Sequence, residues 1–73
     1  MSGETIDYQD ALRLIPNGKY LNIKTGNVYE VIGVGRHSET LEPLVIYTNS
    51  NKSGFWCRPA KMWYQKFKKL DEE

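Results

Sequence analysis

Between Asn27 and Tyr47 the chain reads N-V-Y-E-V-I-G-V-G-R-H-S-E-T-L-E-P-L-V-I-Y, two apolar runs separated by a polar elbow. Short runs rich in valine, isoleucine and tyrosine suit a pleated, partly buried strand, so this stretch reads as two strands joined across the elbow. The elbow gathers Arg36, His37, Ser38, Glu39 and Thr40, that is, a cation, an imidazole, two hydroxyls and a carboxylate. If the chain carries a site, it is expected there.

A chain of 73 residues makes one domain with one small core, and at that size only about 60% of the unfolded surface is buried. Two Trp, five Tyr and two Phe supply bulk for that core without staples, since each ring buries roughly 150–250 Å². The single cysteine, Cys57, excludes an internal disulfide, and one histidine is too few for a zinc ribbon. No metal and no cofactor are expected. No apolar run approaches the ~20 residues of a membrane span, and the N-terminus lacks the basic start and apolar centre of a signal peptide. A soluble, cytoplasmic protein without membrane attachment is the expectation. The net charge of +1 exerts no global pull on nucleic acid. Arg58, Lys61, Lys66, Lys68 and Lys69 nevertheless crowd the last quarter, as a local basic strip or an ordinary solvated face.

Tyr8, Ala11, Leu12 and Ile15 fall at i, i+3, i+4 and i+7, which predicts a short amphipathic helix over Thr5–Ile15. Thr5 or Asp7 is its N-cap, and Pro16-Asn17-Gly18 stops it. From Lys19 the period becomes two, predicting a strand at Tyr20–Lys24 with Leu21 and Ile23 on one face. Thr25-Gly26-Asn27 then turns it into a hairpin with Val28–Val34. On the second strand Val28, Glu30, Ile32 and Val34 are expected on one face, and Tyr29, Val31, Gly33, Gly35 and His37 on the other. The paired glycines suggest a bend. Leu44–Thr48 and Phe55–Arg58 read as a second hairpin, Pro59–Met62 as a one-turn element, and Trp63–Phe67 as a last strand or a helical tail. The predicted class is mainly β, α+β by content: a small SH3-like five-stranded antiparallel barrel after one short helix. The helix extension occupies residues 1–17, the barrel 18–67 and a flexible tail 68–73.

Gly18 to Phe67 resembles a family of small bacterial and phage proteins classed as domain of unknown function 1653. Its members read G-x-Y-x-x-x-K-G-x-x-Y-E-V-x-G-V-x-x-H-S-E-T-x-E, then V-x-Y, then W-x-R-P-x-x-M-F. The matching residues are Gly18, Tyr20, Tyr29-Glu30-Val31, Gly33-Val34, His37-Ser38-Glu39-Thr40, Glu42, Val45, Tyr47, Trp56, Arg58-Pro59 and Met62. Thr25 is an insertion, Cys57 stands for an aliphatic residue and Trp63 for the phenylalanine. The predicted helix lies outside the shared region. The resemblance implies the core boundaries and the motif residues, and names no activity.

Catalysis by His37 with Ser38 would need a base within reach of the nucleophile and a third group orienting it. Neighbours on an extended strand point apart, so an enzyme is not the expected reading. Metal binding by His37, Glu39 and Glu42 has one imidazole and two acids behind it and is weak. Ser38, Glu39 and Thr40 are equally suited to capping backbone donors within the loop. A binding site draws on Arg36, His37, Ser38, Glu39, Thr40, Tyr47, Trp56 and Arg58, which together offer a planar cation and stacking faces. The ligand expected is small and anionic or nucleotide-like, or a nucleic-acid segment. The alternatives are a protein–protein adaptor or a homodimeric module. The structural readings beside it are Trp56 in the core and Arg58 ion-paired with Glu30 or Glu39.

Overall fold

A computed structural model describes residues 6–70. Helix α1 runs Tyr8–Leu14 and starts at Asp7, whose side chain accepts from the Asp10 amide at 2.9 Å. The cap satisfies an amide that has no partner inside the helix. The helix is therefore shorter than Thr5–Ile15, and Thr5 lies outside the described residues. Ala11 and Ile15 are buried but Leu12 points to solvent, so the buried stripe is narrower than the sequence period indicates.

Strands β1 (Gly18–Asn22), β2 (Val28–Arg36), β3 (Pro43–Asn49) and β4 (Phe55–Pro59) are followed by a 3₁₀ turn at Ala60–Met62. Helix α2 (Trp63–Lys66) and β5 (Phe67–Lys69) complete the chain. Every strand pair is antiparallel, and the order across the sheet is β4-β3-β2-β1-β5. The expected barrel is not closed: β4 and β5 are the two edges of one open sheet. Lys68 and Lys69, expected in a tail, pair with Leu21 and Tyr20 instead. Among the described residues, no helix is long and apolar enough to cross a membrane.

Two face assignments differ from the sequence pattern. On β1 it is Tyr20 that is buried, while Ile23 lies in the turn beyond the strand and is exposed. On β2 the register slips between Val31, opposite Tyr47, and Gly33, opposite Ile46, leaving Ile32 as an extra residue. This bulge turns Val31 and Val34 to the same side, where both are buried, and leaves Ile32 outside. An extra residue breaks strict alternation, which is why a period-two reading fails there.

The core is built on aromatic rings. The four-residue α2 sets Trp63 and Phe67 at i and i+4, so their rings stack at 4.0 Å and 3°. Helix and strand thus both occur in a segment that fits either alone. Tyr20 meets Trp63 edge-on at 5.4 Å, and Tyr47 meets both members of the stack at 5.1 and 5.4 Å. Such offset and edge arrangements contribute about 0.5–1.5 kcal/mol each beyond the area they bury.

Two hydroxyls tie α1 to this core. Tyr64 Oη donates to the Leu14 carbonyl at 2.6 Å and Tyr20 Oη to the Pro16 carbonyl at 2.8 Å. These are carbonyls at the helix exit, which the helix itself leaves without partners. Burial, and then the neighbouring Tyr64 hydroxyl, push the Tyr20 phenol well above its ordinary range. The folded state therefore holds this proton more tightly than the unfolded chain does, so the Tyr20 contribution is complete below about pH 10 and is lost as pH rises beyond it. Chemical denaturation from pH 8 to 11.5 should show stability falling above pH 10. In Tyr20→Phe that fall should be shallower than in the parent.

Candidate functional site

The elbow is held by the backbone and by His37. The His37 amide donates to the Glu42 carbonyl and the Leu41 amide to the His37 carbonyl, each at 2.8 Å. His37 Nδ1 accepts from the amides of Glu39 and Thr40 at 3.1 and 3.3 Å, which places the neutral ring's proton on Nε2. Thr40 Oγ1 accepts from the Glu42 amide at 3.2 Å. The expectation of loop capping is met by Thr40, but the chief cap is the imidazole, which sequence reasoning assigned elsewhere. Ser38 and Glu39 are exposed, and no hydrogen bond joins Ser38 to His37. Leu41 completes the turn at φ +66° with 64% of its surface exposed. A left-handed residue there suits the tight His37–Glu42 turn, though for leucine it costs on the order of 1–2 kcal/mol.

Arg36, the last residue of β2, lays its guanidinium over the Tyr8 ring of α1 at 3.9 Å. Between the start of α1 and the elbow lies a groove of about 560 Å³, walled by Ile6, Tyr8, Arg36, Leu41, Pro43 and Lys61. Thr40 and Glu42 also reach it. Lys61 Nζ stands 3.7 Å from Glu42 Oε2, a buried oxygen with no hydrogen-bond partner among the described residues. The Arg36 guanidinium makes no ion pair or hydrogen bond with a described residue and keeps its N–H fork open. The groove as such is not legible in the sequence. Its signals were present separately, as Tyr8 on the helical face and Lys61 in the basic strip.

The eight expected site residues do not converge. Arg36 and Thr40 line the groove, and His37 braces the loop beside it. Tyr47 is core. Arg58 pairs with Val45 and Trp56 with Tyr47, two and four residues along β3 from Pro43, or about 7 and 14 Å from the elbow end. Trp56 is 43% exposed and packs obliquely on Tyr47 and edge-on to Tyr29. Arg58 lies 5.6 Å from the Phe67 ring centre, and its buried Nε has no hydrogen-bond partner among the described residues. The expected ion pair of Arg58 is not formed, because Glu30 meets Lys52 at 3.5 Å and the salt bridges among described residues omit Arg58. Those residues also include no cluster of three metal-ligating side chains.

The brace predicts a graded response. His37→Ala removes the acceptor for two amides and should lower stability by about 1–2 kcal/mol, or roughly 5–15 °C in Tm. His37→Asn, whose Oδ1 can take the same amides, should recover most of that loss in a thermal melt.

Comparison with curated proteins and with solved structures gives no match. A family model described as "Protein of unknown function (DUF1653)" matches residues 22–73. The match takes in the elbow, β2 to β5 and the Trp63–Phe67 stack, starts four residues later than the resemblance drawn from the motif, and leaves α1 outside. With more than half of its length matched, the chain belongs to the DUF1653 family.

Proposed function

We propose that this protein is a small binding module, not an enzyme, and that the groove between α1 and the elbow takes a small ligand bearing a carboxylate or phosphate. The observation that carries this reading is Arg36, whose guanidinium carbon stands 3.9 Å over the Tyr8 ring with no acceptor among the described residues. The ring contact holds the guanidinium in place while its N–H groups stay without acceptors among the described residues, an arrangement suited to a bidentate oxyanion. Ile6, Leu41 and Pro43 offer apolar contact for the body of the ligand, in keeping with a pocket of mixed apolar walls and few polar anchors. Lys61, 3.7 Å from Glu42 Oε2, lines the same groove and adds a second cation, which favours ligands with a strongly anionic group, such as the phosphate of a nucleotide. An SH3-like relationship is part of this reading, supported by the sheet order and by the 3₁₀ turn that leads towards the last strand. Such a relationship would concern the scaffold and carry no function of its own.

The test is amide-resolved NMR titration with nucleotides, sugar phosphates, dicarboxylates and short oligonucleotides. Binding should shift Tyr8, Arg36, Leu41 and Lys61. Arg36→Gln should weaken it at least tenfold, and Arg36→Lys, which keeps the charge but not the fork, should recover only part of it. A panel that leaves these amides unmoved, or binding that survives Arg36→Gln intact, defeats the proposal.

A further inference from the structure

The two edges of the open sheet are treated differently. The β5 edge carries Lys68 and Lys69, charges of the kind that discourage a further strand. The β4 edge reads Phe55-Trp56-Cys57-Arg58-Pro59 and exposes Phe55 at 61%, Trp56 and Cys57. Its single cation and its proline both lie at one end.

That sequence is complementary to itself. Pairing two copies of β4 antiparallel about a twofold axis at Cys57 sets Trp56 opposite Arg58 of the second copy, twice, and Phe55 opposite its Pro59. Trp56 and Arg58 share one face of β4, since they lie two residues apart. Directly paired residues on adjacent strands face the same side, so each guanidinium would meet an indole ring across the junction. The indole is 43% exposed, and Arg58 makes no ion pair among the described residues. A cation on a Trp face is the strongest form of this contact.

We infer that the β4 edge is a self-association surface, through which two copies join their sheets into one continuous ten-stranded sheet with crossed Trp56–Arg58 pairs. The occupant is a second copy of this chain, because Trp and Arg at this spacing complement their own reversed sequence. One short strand a side buries less than the ~1,200 Å² of standard complexes, so the dimer is weak and concentration-dependent. This inference does not depend on the groove.

Sedimentation of the full chain from about 10 µM to 1 mM should show the mass rising from one chain towards two. Cys57→Lys, a change at an exposed position that sets like charges against each other on the axis, should keep the native circular dichroism spectrum and remain monomeric. Arg58→Glu should weaken association at least tenfold. Paired Cα atoms on antiparallel strands lie about 4.5–5.5 Å apart, within disulfide range. Treating the parent dimer with diamide, which takes up two hydrogens as two thiols become one disulfide, should therefore trap a covalent dimer. A monomer at 1 mM overturns the inference, as does a natively folded Cys57→Lys protein that still dimerises, or a dimer that diamide does not link. A synthetic peptide of residues 53–60 that binds this edge while the chain itself stays monomeric would assign the edge to a foreign strand and overturn self-pairing.

Discussion

The parallel stack of Trp63 on Phe67 is the contact on which the other elements converge. Tyr20 brings β1 to it and Tyr47 brings β3, while Tyr29 reaches Phe67 from β2 at 5.8 Å. A sheet this narrow has little aliphatic volume to offer, and flat rings filling one layer solve that shortage. The cost is a buried indole N–H: Trp63 Nε1 has no hydrogen-bond partner among the described residues. Its desolvation offsets part of the gain from burying the ring.

From that stack the structure extends in two directions. Tyr20 and Tyr64 carry it to the exit of α1 through their hydroxyls, and Arg36 secures the start of α1 by lying on Tyr8. The helix, which the family match leaves out, is thus attached at both ends to residues of the sheet or of α2. The groove exists because these two attachments hold α1 over the elbow. Its shape depends on a helix too short to be stable alone, and its chemistry on an arginine that also serves as a fastener.

Local chemistry made much of this legible. The elbow, the Gly26 turn with φ +79° and the 3₁₀ turn after Pro59 follow from residues that act on their own backbone. What could not be read locally was which face each strand buries. Tyr20 and Ile23 are both plausible inward residues by hydrophobicity, and the choice is made by the Trp63 ring, which only the folded chain brings against Tyr20. The bulge at Ile32 likewise has no sequence marker beyond the glycine that follows it. For the site, the residue types pointed to the elbow, but the partners came from α1 and the 3₁₀ turn rather than from Trp56. Antiparallel register carries Trp56 away from the elbow, and pooling aromatic and cationic residues by type takes no account of that distance.

The interior place of β1 has a consequence for biosynthesis. β1 lies between β2 and β5, so a strand made early waits for one made much later, and the ring that Tyr20 packs against belongs to residue 63. Until Phe67 has left the ribosome, a nascent chain holds hairpins without the stack that joins them. A product cut short before that point would lack the centre of the core and stay open to proteases. The core therefore closes in one late step, when the Trp63–Phe67 stack forms against Tyr20 and Tyr47.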